Sequence, residues 1–217
     1  MVTSLMDNDV LHKTTAYGLF ERLLTTSAMQ GEVYGVLGTA KYVVSKKFKK
    51  RPPTRGLESV LIDFNSALQH LVEIEPTNEE VTAAANLEYQ AQQLNLELDT
   101  GESILCAVLL IRRLNHIVTG DKRAIKAVEA LSTEGENSLN FESKIICLEQ
   151  LFVWLVNEYD VHHIRTAVCS EKAVDLALTS CFSCYSPEVP VESCVEGLKS
   201  YISSLQQDAP TVLANCD

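Results

Sequence analysis

A chain of 217 residues suits one large domain, or one domain with a smaller appendage, and 46% hydrophobic against 22% charged residues excludes a disordered polymer. The formal charge of −11 excludes a nucleic-acid coat protein, because covering phosphate takes a surplus of Lys and Arg. Lys46, Lys47, Lys49, Lys50, Arg51 and Arg55 nevertheless fall within ten residues, so one local surface is positive on an acidic body.

In chain order, Thr3 to Met6 reads as a short strand and Val10 to Thr26 as a helix with Leu11, Leu19, Leu23 and Leu24 in the core. Val33 to Leu37 is a second strand, and Gly38 leads into a helix over Thr39 to Phe48 that Pro52-Pro53 prevents from continuing. Leu57 to His70 forms a third helix with Val60, Leu61, Phe64 and Leu68 on one face, and Leu71 to Glu75 a third strand. Thr77 followed by Glu80 is a capping-box pair opening a helix to about Leu94. The next helix starts at Asp99 or Thr100 and runs through Arg113, Asn115 to Thr119 is the fourth strand, and Lys122 to Leu131 another helix. Strands alternating with helices predict an α/β fold whose mostly parallel sheet is covered by helices.

After Ser132 the pattern changes. Glu134 to Asn140 reads as a polar linker, and Phe141 to Glu158 as an amphipathic helix with Ile145, Leu148, Phe152 and Leu155 on one face. Short helices follow at Val161 to Val168, Lys172 to Cys181 and Val191 to Leu205, and the residues after Pro210 are expected to fray. Residues 132–217 are therefore expected to form an all-helical C-terminal extension to a first domain of residues 1–131.

No apolar run reaches the ~20 residues that span a bilayer, and Ile104 to Ile111 ends at Arg112-Arg113. The start lacks a basic region followed by an apolar stretch, so no secretory signal is expected. Seven cysteines, an odd number without framework spacing, fit a reducing compartment, and a cytoplasmic location is the expectation. Cys181-Phe182-Ser183-Cys184 lacks the second pair that a structural zinc site uses, so buried thiols are expected there.

Chemistry concentrates in the acids. In a parallel sheet ligands bind beyond the carboxyl ends of the strands, where Asp7 and Asp121 both fall. Asp99 and Glu102, three apart at a helix start, occupy neighbouring surface positions. Carboxylates brought together repel and stay ionised only with positive charge among them, usually a divalent metal. Each acid also has a plainer role: Asp99 and Glu102 match a capping box, and Asp7 and Asp121 precede helices that they can cap. The basic run likewise suits the end of a solvated helix.

Three segments together resemble the PIN-domain nucleases, the fold of VapC-type toxin ribonucleases and of many RNA-processing enzymes. Asp7-Asn8-Asp9-Val10-Leu11 matches their opening Asp-x-Asn-Val-Leu, with Asp9 in the Asn position. Leu98-Asp99-Thr100-Gly101-Glu102 matches Leu-x-x-Gly-Glu, and Thr119-Gly120-Asp121-Lys122-Arg123 matches Thr-x-Asp followed by basic residues. The resemblance covers residues 1–131 and implies a three-layer α/β/α domain that cleaves RNA with Mg²⁺ or Mn²⁺. It implies Asp7, Asp99, Glu102 and Asp121 as catalytic metal ligands, Asp9 as an additional ligand, and Asn8 and Thr119 as their hydrogen-bonding support. Lys46 to Arg55, with Lys122 and Arg123, would hold the phosphates.

The family's usual Glu in the helix after the second strand is missing: Gly38-Thr39-Ala40-Lys41-Tyr42-Val43-Val44 has no carboxylate. Asp9 or Glu32 substitutes, or the site has degenerated and the domain serves as a protein-interaction module. A toxin–antitoxin or phage-defence effector held by an inhibitor is a further implication of the resemblance. Separately, the amphipathic helix of Phe141 to Glu158 and its C-terminal neighbours are expected to offer a face to a partner protein or to a second copy, and no membrane contact is expected.

Overall fold

The computed structural model describes residues 1–134 and 139–215, so most of the linker expected at Glu134 to Asn140 lies outside the described residues. Five strands, β1 (Ser4–Met6), β2 (Tyr34–Leu37), β3 (Val72–Ile74), β4 (Ile117–Thr119) and β5 (Ile145–Cys147), form one all-parallel sheet in the order β3-β2-β1-β4-β5. Every residue of β1, β2, β4 and β5 is buried, as expected where both faces of a parallel sheet are covered.

The helices between strands are α1 (Asn8–Ala16), α2 (Phe20–Leu24), α3 (Ala40–Lys50), α4 (Leu57–Gln69), α5 (Asn78–Gln93), α6 (Thr100–Arg112) and α7 (Lys122–Glu134). Beyond β5 come α8 (Leu148–Glu158), α9 (Val161–Ser170), α10 (Leu176–Cys181) and α11 (Val191–Asp208). Helix α1 packs on α3 and α4, and α5 on α6 and α7, two groups compatible with a three-layer α/β/α arrangement.

The single helix expected over Val10 to Thr26 is two. Gly18 has a left-handed backbone, φ +68°, its amide donates to the Thr15 carbonyl, and the Leu19 amide donates to the Thr14 carbonyl. This is a Schellman ending, in which the glycine satisfies the last carbonyls of α1 and redirects the chain. The expected core residues Leu11, Leu19 and Leu23 are buried nonetheless.

A larger correction concerns the C-terminal third, which is not all helical. Ile145 to Cys147, read as part of the helix expected over Phe141 to Glu158, is strand β5 paired in parallel with β4 through Ile117↔Ile145, Val118↔Ile146 and Thr119↔Cys147. The region expected to fray forms the cover of that strand. Leu213 bridges Ile145, and the amides of Thr211 and Val212 donate to the buried Glu129 carboxylate. An exposed edge with unpaired amides and carbonyls is thus protected. One continuous core joins both parts of the chain: Phe152 of α8 meets Tyr17 of the α1 end at 5.9 Å between ring centroids and Phe182, after α10, at 5.9 Å.

The thiols expected to be merely buried include a bonded pair, Cys169–Cys184, which ties the end of α9 to the segment after α10. No helix among the described residues is long and apolar enough to cross a membrane.

Candidate functional site

Topology places the acids before any side-chain contact does. β1 has β2 on one side and β4 on the other, so the helical connections diverge at this pair and leave a crevice beyond its carboxyl ends. Asp7 follows the last residue of β1 and Asp121 lies two residues beyond β4. Helix α6 leads into β4 and runs antiparallel to it, so its N-terminal residues Asp99 and Glu102 arrive at the same end of the sheet.

A cleft of about 670 Å³ opens there, lined by Asp7, Asn8, Asp9, Asp99, Glu102 and Asp121 together with Thr39, Val43, Lys47 and Arg123. All five acids expected at the site therefore share one cleft. Their side chains are also engaged locally. Asp99 accepts from the Glu102 amide at 2.9 Å, and Glu102 Oε2 accepts from the Asp99 amide at 2.9 Å, a complete capping box for α6. Asp121 Oδ1 accepts from the Arg123 amide at 2.8 Å, and its Oδ2 pairs with the Arg123 guanidinium at 3.0 Å. The Thr119 hydroxyl donates to Asp7 Oδ2 at 3.2 Å and accepts from the Asp121 amide at 3.2 Å, linking the two strand ends.

Charge in the cleft is unevenly compensated. Burial, followed by the charge of Asp9, pushes the Asp7 carboxyl up to about 6. Burial also pushes Glu102 up to about 8, with Asp99, Asp121 and Asp7 adding to it. Burial likewise presses Asp121 upward, but hydrogen bonds from Arg123 outweigh it and hold that carboxyl below its ordinary value. Asp9 pairs with Lys13 at 2.5 Å and faces Lys47 at 3.8 Å.

The donor set suits a hard divalent cation in kind, since every ligating candidate is a carboxylate oxygen. In arrangement, no group of three His, Cys, Asp or Glu side chains among the described residues is set to hold an ion as it stands.

The expected phosphate-binding residues divide. Lys47 and Arg123 line the cleft, although Arg123 is also paired with Glu97 at 2.7 Å. Lys46, Lys49, Lys50 and Arg51 are exposed along the end of α3. Arg55 is turned inward: it pairs with Asp63 and donates to the Thr15 carbonyl at 2.7 Å, pinning the loop onto α1. Lys122 points away from the acids to a separate cleft, pairing with buried Glu149 at 2.9 Å and lying 3.9 Å from the centre of the Tyr201 ring. Successive residues at a helix start face different directions, which is why Asp121 and Lys122 part.

Glu32, one substitute for the family's missing carboxylate, is corrected. It precedes β2 and accepts hydrogen bonds from Thr3, Ser4 and Asn115, at the amino end of the sheet and away from the cleft.

Sequence reasoning missed Lys13, whose side chain is only 12% exposed and bridges Asp9 to Asp175 at 2.7 Å. The four-residue spacing of Asp9 and Lys13 was the available signal. Asp175 had none, since tertiary packing alone brings it there. Gly120 serves the same contact, because a Cβ at that position would lie 2.7 Å from Asp9 Oδ2. No protein-family model, curated protein or solved structure shows a significant match to this chain.

Proposed function

We propose that this is a PIN-like, metal-dependent phosphodiesterase acting on RNA. The observation that carries the reading is the convergence of Asp7, Asp9, Asp99, Glu102 and Asp121, from three separate stretches of chain, on one cleft at the β1/β4 divergence. The Asp7 and Glu102 carboxyls are raised chiefly by burial, with the neighbouring acids adding to it, so a cation bound among them would favour their ionised form. Asp7, Asp99, Glu102 and Asp121 are the residues that would hold a divalent Mg²⁺ or Mn²⁺, which when bound would supply Lewis-acid activation of a water and charge neutralisation at the phosphate. Thr119 holds the Asp7 carboxylate in place, and Lys47 presents its ammonium to a phosphate entering over the acids. Asp7→Asn and Asp121→Asn are each expected to lower RNA cleavage in Mn²⁺ by on the order of 100-fold or more, with the far-ultraviolet dichroism unchanged. Unchanged cleavage in both variants rejects the assignment.

A second reading has its own support. Asp121 is neutralised by Arg123, Asp9 by Lys13, and Asp99 and Glu102 complete a helix cap, so the acids can serve a scaffold that binds protein instead of cutting nucleic acid. Mn²⁺ separates the two. A nuclease gains thermal stability with rising Mn²⁺, and the gain is lost in Asp7→Asn; a scaffold shows no such dependence.

A further inference from the structure

Helix α3 reverses the charge of the molecule. In a chain of net charge −11 it carries Lys41, Lys46, Lys47, Lys49 and Lys50 and no acidic residue, and Arg51 follows directly. Thr39, Val43 and Lys47, four residues apart, form the wall of the acidic cleft. One position round the helix lies a second stripe, Tyr42, Lys46 and Lys50, about 12 Å long at 1.5 Å per residue. Tyr42 is 70% exposed, with the Lys41 ammonium 5.3 Å from its ring centre. A large aromatic ring left in water beside a row of lysines, next to a cleft of acids, does little for the core.

We propose that this stripe, with Lys47 of the adjoining cleft wall, is a track for single-stranded nucleic acid, in which Tyr42 stacks an unpaired base while Lys46, Lys47 and Lys50 hold the flanking phosphates. The chemistry is that of single-strand binding surfaces, where aromatic faces take bases without reading sequence and cations follow the backbone. In a duplex the bases are already stacked on one another and present edges and phosphates, not free faces. Tyr42 is therefore the residue that selects single strands for the neighbouring cleft. The assignment rests on the phosphodiesterase reading for its purpose, but binding is measurable without catalysis.

The test is fluorescence anisotropy of the full chain in a chelator, with a labelled single-stranded RNA, its DNA equivalent and the corresponding RNA duplex, at low and moderate salt. Both single strands are expected to bind, the duplex at least ten times more weakly. Tyr42→Ala should weaken single-strand binding by about 5- to 100-fold, with duplex binding unaltered. Tyr42→Phe should stay within about twofold of the parent, because the ring face is kept. Lys46→Glu should weaken both and reduce the salt dependence. Unaltered single-strand binding in Tyr42→Ala, equal affinity for duplex, or no binding to either single strand overturns the proposal. Failure of the phosphodiesterase reading looks different: the binding pattern holds, yet adding Mn²⁺ produces no cleavage.

Discussion

Glu102 shows how a single residue carries two demands. Its backbone amide and its carboxylate complete the cap of α6, a local arrangement worth about 1 kcal/mol, while burial beside other acids opposes its ionisation. The sign of the resulting pH dependence follows from the protons held. An unfolded Glu releases its proton near 4.5 whereas the folded one keeps it to about 8, so folding is favoured at low pH and this contribution is lost as pH rises between them. Asp7 acts in the same sense between 3.8 and about 6. Glu102→Gln retains a capping oxygen and removes the charge. In the absence of divalent cations it should therefore be more stable than the parent at pH 8.5, by on the order of 2 kcal/mol, and indistinguishable at pH 4. Urea denaturation at the two pH values decides this, and an equal difference at both would mean that ionisation is not the cause.

At the scale of elements, the ends of helices decide where the chain turns. The Schellman turn at Gly18 stops α1 after nine residues, and Arg55 then spans from the Thr15 carbonyl to Asp63. Gly18→Ala forces an L side chain into the left-handed region and should cost about 1–2 kcal/mol in chemical denaturation. A Gly18→Ala variant as stable as the parent would show that the turn has another way to close. The capping boxes Thr77/Glu80 and Asp99/Glu102 were both legible as spaced pairs, because their partners lie three residues apart. The Gly18 turn carried a weaker signal, a lone glycine within a helical pattern, and the leucines on either side of it kept the helical spacing. Strand β5 was illegible for a physical reason. Ile145, Ile146 and Cys147 are all buried, so they lack the alternation of a half-exposed strand, and with Leu148 they fit a helix equally well.

For the whole molecule, the boundary expected near residue 131 does not coincide with a gap in the core. α7 is the crossover between β4 and β5, and the Tyr17–Phe152–Phe182 stack joins the first and last thirds. Helix α8, expected to offer an amphipathic face to a partner, buries Leu148, Leu151, Phe152, Val153, Leu155 and Val156 within the chain itself. A chain ending at Leu131 should therefore lose cooperative unfolding, having exposed the β4 edge and stripped the cover from Tyr17. A sharp thermal transition and dispersed amide resonances from that shortened chain would refute the single-core account. The C-terminal part also braces the first part of the chain: Asp175 pairs with Lys13, the partner of the cleft-lining Asp9, and Glu171 accepts from the Thr54 and Arg55 amides.

The sequence by itself determined the α/β class, most helices, the first four strands and the identity of the clustered acids, because these follow from periodicity, caps and neighbours a few residues apart. It did not determine what those acids and cations face. Whether Arg123 meets Asp121, Lys122 meets Glu149, Arg55 meets Asp63 or Lys13 meets Asp175 depends on which surfaces pack together. Such contacts depend on the direction of each side chain and on partners brought in from elsewhere in the chain. The fifth strand belongs to the same category, since only pairing with β4 and the cover from residues 211–214 make those three residues a strand.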